Sequence, residues 1–244
     1  MCKNLVSGYF MNQPLSNYNF VTGEILLFDK PLDWTSFDVV SKVRYFLCKK
    51  LGLKKLKVGH AGTLDPKATG LVVLCTGKAT KSIESIQAQE KEYIATLKLG
   101  ATTPSFDLES EEDQTFETEH ITINLIEEKI KDLLGEIDQV PPIFSAIRVN
   151  GKRAFDYARS GQELELKSRK IQIDAIEVIN FEMPILTLRV NCGKGTYIRS
   201  LARDLGLSLE SGAYLTALRR TRIGENRVEE AWNLENFKIM LDQM

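Results

Sequence analysis

Histidine and cysteine are scarce in this 244-residue chain, which has His60, His120 and four cysteines, Cys2, Cys48, Cys75 and Cys192, with no C-x-x-C pair. So few ligands without metal spacing exclude a structural zinc site, and the scattered thiols read as reduced, mostly core residues. Long apolar runs are missing as well. The opening MCKNLVSGYFMNQPLSNYNF lacks the continuous apolar stretch of a secretory signal, and no later run approaches bilayer-spanning length, so a soluble cytoplasmic protein is expected. Nucleotide loops are also lacking. In CTGKAT, Ala79 stands where a phosphate loop needs Ser or Thr for magnesium, and Val72 stands where its first glycine belongs. NCGKGTY fails the same pattern, and no G-x-G-x-x-G follows a strand, so no nucleotide cofactor is implied.

What is present is ordinary globular material: 43% hydrophobic residues, enough for a core in one large domain or two small ones. The net charge of -1 hides a segregation. Between Val39 and Leu64 there is no acid, while Lys42, Arg44, Lys49, Lys50, Lys54, Lys55 and Lys57 form a basic stretch. A second cluster comprises Arg189, Lys194, Arg199, Arg203, Arg219, Arg220, Arg222 and Arg227, and FDLESEEDQTFETEH gathers acid in the middle. That arrangement suits phosphate binding by one face; solvated helix surfaces are the alternative.

Periodicity indicates mixed α and β structure. GEILLFDKP reads as a strand, and a helix follows from about Thr35, capped by Thr35 or Ser36, with Val39, Val40, Val43, Phe46 and Leu47 on its apolar side and Gly52 at its end. GLVVLCTG reads as a buried strand, KEYIATLKLG as a half-buried one, and INLIEEKIKDLLGEI as an amphipathic helix stopping near Gly135. RKIQIDAIEVINFE and ILTLRVNCGKG read as strands, TYIRSLARDLGLSL as a helix, AYLTALRRTRIG as a strand and EEAWNLENFKIML as a terminal helix. Between them, VPPIFSAIRVNGKRAFDYARSGQEL interleaves Arg148, Lys152, Arg153 and Arg159 with Phe144, Phe155 and Tyr157, a composition that holds RNA by phosphate contacts and stacking.

One carboxylate is conspicuous. Asp65 sits in KVGHAGTLDPKATGLVVLCTG among Gly59, Gly62 and Gly70, where a backbone can turn sharply and approach another molecule; a plain turn aspartate is the alternative.

Six ordered blocks, DKPLDWTS, GHAGTLDPKATGLVVLCTGKATK, KEY, PPIFSAIRVNGKRAFDYARSG, GTYIRSLARDLG and GAYLTALRRTRIG, resemble the motifs of bacterial tRNA pseudouridine-55 synthases of the TruB type. The resemblance implies an α+β fold with a mixed, largely antiparallel sheet, flanking helices and a basic thumb inserted at about residues 140–167. It implies an N-terminal extension over 1–22 and a catalytic domain over 23–244. It implies no metal or organic cofactor, a tRNA T stem-loop as partner, no obligatory protein partner and a monomer. Many members carry a C-terminal PUA domain, which this chain does not show. Position by position, Asp65 matches the catalytic aspartate, His60 a histidine that enters the T loop beside the extruded nucleotide, Tyr93 an active-site tyrosine that stacks on the target base, and Arg199 an arginine paired with the catalytic carboxylate. Tyr197 and Leu218 match residues lining the uridine pocket, and Lys30 matches the lysine of the DKPxGxTS block. Lys30, Arg148, Lys152, Arg153, Arg219 and Arg220 are expected among the RNA contacts. Two positions depart from the pattern: Asp33 stands where glycine is usual, and Pro104 stands where an aspartate is common, which leaves open whether Asp107 is the equivalent acid.

The implied chemistry suits these residues. Uridine isomerisation breaks the C1′–N1 bond, turns the uracil and joins C1′ to C5; Asp65 can serve as nucleophile at C1′ or C6, Arg199 can hold it ionised, and Tyr93 can stack and move a proton. Flipping the base costs a few kcal/mol. A non-catalytic RNA-binding module and a base-releasing N-glycosidase remain the rival classes.

Overall fold

In this computed structural model the described residues are 18–145, 147–149, 151–159, 164 and 166–244, so Cys2, most of the 1–22 extension and the side chain of Arg148 lie outside them. Along the chain run β1 (Ile25–Lys30), α1 (Ser36–Leu51), β2 (Val58–His60), β3 (Ala68–Thr76), α2 (Ile83–Ala88), β4 (Lys91–Leu99), β5 (Ala101–Thr102), β6 (Gln114–Thr115), α3 (Ile123–Lys131) and β7 (Gly135–Gln139). Then follow β8 (Arg148–Val149), β9 (Lys152–Arg153), α4 (Ala154–Arg159), β10 (Arg169–Glu182), β11 (Ile185–Cys192), α5 (Ile198–Ser208), β12 (Ala213–Ile223), β13 (Asn226–Arg227) and α6 (Leu234–Asp242).

The chain divides into two units, one of residues 1–92 with 219–244, the other of residues 93–218. In the first unit the strand order is β1-β3-β12, with β2 also on β3. β1 and β2 both run antiparallel to β3, which aligns Lys30 with Gly70 and His60 with Leu74. β3 is buried along nearly its whole length because it has neighbours on both sides. Leu71, Val73 and Cys75 pack with Ala61, Ile86, Ile223 and Val228, and Phe28, Trp232 and Phe20 surround Phe237 of α6 edge-on. In the second unit the order is β12-β4-β11-β10-β7, with β10 antiparallel to both β11 and β7.

Local chemistry explains the boundaries. Thr35 caps α1 in a capping box with Asp38, each side chain bonding the other's backbone N–H, an arrangement of about 1 kcal/mol. Gly52 closes the helix at φ +65. The helix expected to run to Gly135 stops at Lys131: Gly135, at φ +85, turns the chain, and Gly135–Gln139 becomes β7 alongside β10. The terminal helix likewise starts later than expected. Trp232 is tied in extended form to β1 by Trp232 N–H to Leu27 O and Asp29 N–H to Trp232 O, and Asn233 then caps α6 through the Asn236 N–H. No helix of the described residues is long and apolar enough to cross a membrane.

Candidate active site

In the first unit, residues 61–67 link β2 to β3 and carry Asp65. Their backbone is anchored from four directions. Ser36, the first residue of α1, accepts from Leu64 N–H at 2.8 Å, which is why it is the neighbouring Thr35 that caps the helix. Asp33 N–H donates to Pro66 O at 2.9 Å. Lys30 Nζ donates to the carbonyls of Pro31, Trp34 and Pro66. Arg220 donates from Nε to Leu71 O at 2.8 Å, from Nη2 to Gly62 O at 3.1 Å and from Nη1 to Thr63 O at 3.4 Å. The turn closes with Ala68 N–H on Asp65 O, and Asp65 is half-buried. Gly70 is obligatory here: its φ is +103, and a Cβ would lie 2.2 Å from Arg220 O.

The anchoring corrects two expectations. Lys30 and Arg220, expected among the RNA contacts, are 0% and 1% exposed, so neither reaches a ligand; both brace the loop instead. Burial draws the Lys30 ammonium down to about 8, with Asp65, Asp33 and Asp38 pulling it back up and Arg220 pushing it further down. Arg219 is half-exposed and engaged with Asp29 through two bonds of 3.0 and 2.7 Å. His60 ends β2, half-buried; burial lowers its pKa, a backbone hydrogen bond with Gly62 partly opposing, and so favours the neutral imidazole. Asp33 explains why glycine is usual at its place: its φ is +62, a conformation that aspartate tolerates better than most residues, and its carboxylate meets Lys67 at 2.8 Å.

The second unit holds Tyr93, Arg199, Tyr197 and Leu218. Arg199, on the first turn of α5 and 4% exposed, pairs with the equally buried Asp107 at 3.5 Å and donates to the carbonyls of Ser105 and Phe144. Asp107, the acid left open by the sequence, is therefore a buried partner of Arg199 and no surface residue. Tyr197 sets the start of α5 through a two-way bond with Gln139, whose amide accepts from Tyr197 N–H and donates to Tyr197 O. Tyr93 is buried on β4, and Leu218 is half-buried on β12. The expected thumb is rooted on α5, because Ser200 and Arg203 both donate to Val140 O beside the Arg199 bond to Phe144 O. Within it β8 and β9 form a hairpin, and the exposed Lys152 and Arg153 lie over the rings of Tyr157 and Phe155 at 5.9 and 5.6 Å. Among the described residues no group of three or more His, Cys, Asp or Glu is placed to hold a metal. A cavity of about 1010 Å³ opens in the first unit beside Trp34, Tyr45, Phe46 and Leu234, and none of the expected site residues lines it.

Sequence reasoning offered Ser36 only as a helix cap and missed its anchoring of the loop, as it missed the bracing role of Arg220. For Lys30 a signal existed: period two places it on the same strand face as Leu26 and Phe28, both buried.

The comparisons with known proteins agree with one another. The sequence model of the TruB family pseudouridylate synthase N-terminal domain matches residues 49–198. A protein of Phocaeicola vulgatus named tRNA pseudouridine synthase B is 60% identical over 92% of this chain and 96% of its own length, and its namesake in Bacteroides thetaiotaomicron is 57% identical over 92% and 95%. Among solved structures, a Cbf5–Nop10–Gar1 complex matches with TM-score 0.66 and 28% identity over 97% of this chain, and an H/ACA RNP bound to a substrate RNA containing 2′-deoxyuridine with TM-score 0.63 and 27% identity. The chain spans about three fifths of those two longer proteins, 61% and 60%. With its ordered motifs, its largely antiparallel sheet and relatives matched over nearly their full length, the chain belongs to the TruB family of pseudouridylate synthases.

Proposed function

We propose that this protein isomerises the uridine at position 55, in the T loop of tRNA, to pseudouridine, with Asp65 as its nucleophile. The observation that carries the reading is the loop itself: in a TruB family chain, the aspartate of GTLDP stands on a backbone fixed by Ser36, Lys30, Arg220 and the Asp33 N–H. A turn residue of no consequence has no need of two buried cations. Catalysis needs such fixed geometry, since a misplacement of about 1 Å can cost a hundredfold.

The assignments follow the chemistry. The Asp65 carboxylate adds to the nucleoside, the C1′–N1 bond breaks, the uracil turns, C1′ joins C5, the bond to Asp65 breaks and returns the free carboxylate, the C5 proton leaves and N1 is protonated. Tyr93 offers a stacking face and a hydroxyl for proton transfer, and Arg199 keeps the carboxylate charged and aligned, with Asp107 holding the guanidinium. Tyr197 and Leu218 bound the uracil. His60, neutral near pH 7, fills the stack vacated by the flipped base. Lys152 and Arg153 of the thumb meet phosphates.

Carbodiimide adduct mapping of tRNA treated with purified protein in the presence of chelator tests the reading. One new adduct at position 55, absent with Asp65→Asn, is expected. Free uracil in the supernatant would convert the reading to an N-glycosidase, and binding without any adduct would leave only an RNA-binding module.

A further inference from the structure

Among the described residues Arg220 is the largest fully buried side chain, and no carboxylate lies within ion-pair distance of it. A buried guanidinium without an acid is costly, and such charges persist where their hydrogen bonds do something a neutral residue cannot. Here the three bonds go to two different limbs: Gly62 O and Thr63 O on the chain entering the Asp65 loop, and Leu71 O on the strand leaving it. Only arginine spans such a set, because its donors form one rigid planar fork; an ammonium reaches one carbonyl well and loses the others. The fit is close on both sides. A Cβ on Gly62 would lie 3.4 Å from Arg220 Nη1, so the guanidinium packs against the Gly62 backbone, and a Cβ on Gly70 would lie 2.2 Å from Arg220 O, so the two main chains also pack closely.

We propose that Arg220 is a positioning residue for Asp65: its fork ties the two limbs of the loop at a fixed separation, so that the carboxylate between them is presented in one orientation. The proposal rests on the reading of Asp65 as nucleophile. Arg220 touches no substrate. Its loss therefore slows the chemical step and leaves tRNA affinity in place, a division that neither an RNA contact nor a mere fold staple produces.

The test uses the full chain with tRNA transcript. At saturating enzyme, Arg220→Ala should lower the single-turnover rate about a hundredfold with the Kd for tRNA within about threefold, and added ethylguanidinium should restore at least about tenfold by refilling the site. Arg220→Lys, measured beside it, should lose about tenfold. A folded Arg220→Ala whose rate stays within threefold, or whose affinity falls as far as its rate, overturns the proposal. If Arg220→Ala does not fold, Arg220→Lys decides, and a wild-type rate there overturns it equally. Asp65→Asn run in parallel separates the two claims: an active Asp65→Asn removes the nucleophile reading and Arg220 with it, whereas an inactive Asp65→Asn beside a fast Arg220→Ala removes the Arg220 inference alone.

Discussion

Lys30→Met isolates what a buried ammonium contributes to this loop. The wild-type side chain is fully buried and donates to three carbonyls. Methionine keeps the length and apolar stem and deletes the donors. Pro66 O keeps a partner in Asp33 N–H, and the exposed Pro31 can be hydrated, so the carbonyl left with a penalty is that of the half-buried Trp34. One stranded buried acceptor costs about 1–3 kcal/mol, and the lost charge-assisted bonds add a similar amount. Against this stands the desolvation that draws the lysine down to about 8, which methionine relieves. The balance is a loss of about 2 kcal/mol, or roughly 4–8 °C in Tm for a chain of this size. Urea denaturation followed by circular dichroism measures it as a fall in midpoint with an unchanged slope. A variant as stable as the wild type, or more so, refutes the reasoning, because the ammonium would then be tolerated for its charge alone.

The same pair of proteins tests pH linkage. Lys30 titrates near 8 when folded and near 10.5 when unfolded, so between those values the unfolded state holds more protons and this residue's contribution to stability rises with pH. The wild-type advantage over Lys30→Met should therefore grow from pH 7 to pH 9; the opposing effects of Cys75, raised to about 11, and Tyr214, raised to about 12, are common to both proteins and cancel. A flat difference contradicts the assignment. Asp107→Asn breaks a buried ion pair and should destabilise by about 3 kcal/mol in the same urea assay while slowing single turnover; a stable, fast variant removes Asp107 from the support of Arg199. Lys152→Glu with Arg153→Glu should weaken tRNA binding and flatten its dependence on salt by about two counterions, and an unchanged slope in filter binding rules out phosphate contact by the thumb.

Much of this was legible beforehand, and the failures share a cause. The cap at Thr35, the stop at Gly52 and the strand over Gly70 to Thr76 follow from local chemistry, and six ordered motifs suffice to identify the family. The segment from Leu133 to Ile137 continues an apolar spacing that a helix could use, and only pairing with β10 makes it a strand. Lys30 and Arg220 read as surface charges because composition assigns lysine and arginine to solvent. The carbonyls that accommodate them come from segments as far as 158 residues away, which no local window contains. Asp107 was visible in FDLES but merged with an acidic run until Arg199 was seen beside it.

The bonds from Arg220 join residues 149 to 158 positions apart. Synthesis at 5–20 residues per second places roughly 7–30 s between the emergence of the Asp65 loop and that of the arginine that clamps it. During that interval β1, α1, β2 and β3 can pair with one another, while the open side of β3 awaits β12. The nascent chain thus exposes an apolar central strand and an unclamped loop together, a sticky and inert intermediate. Activity becomes possible only when one of the last strands made takes its place beside one of the first.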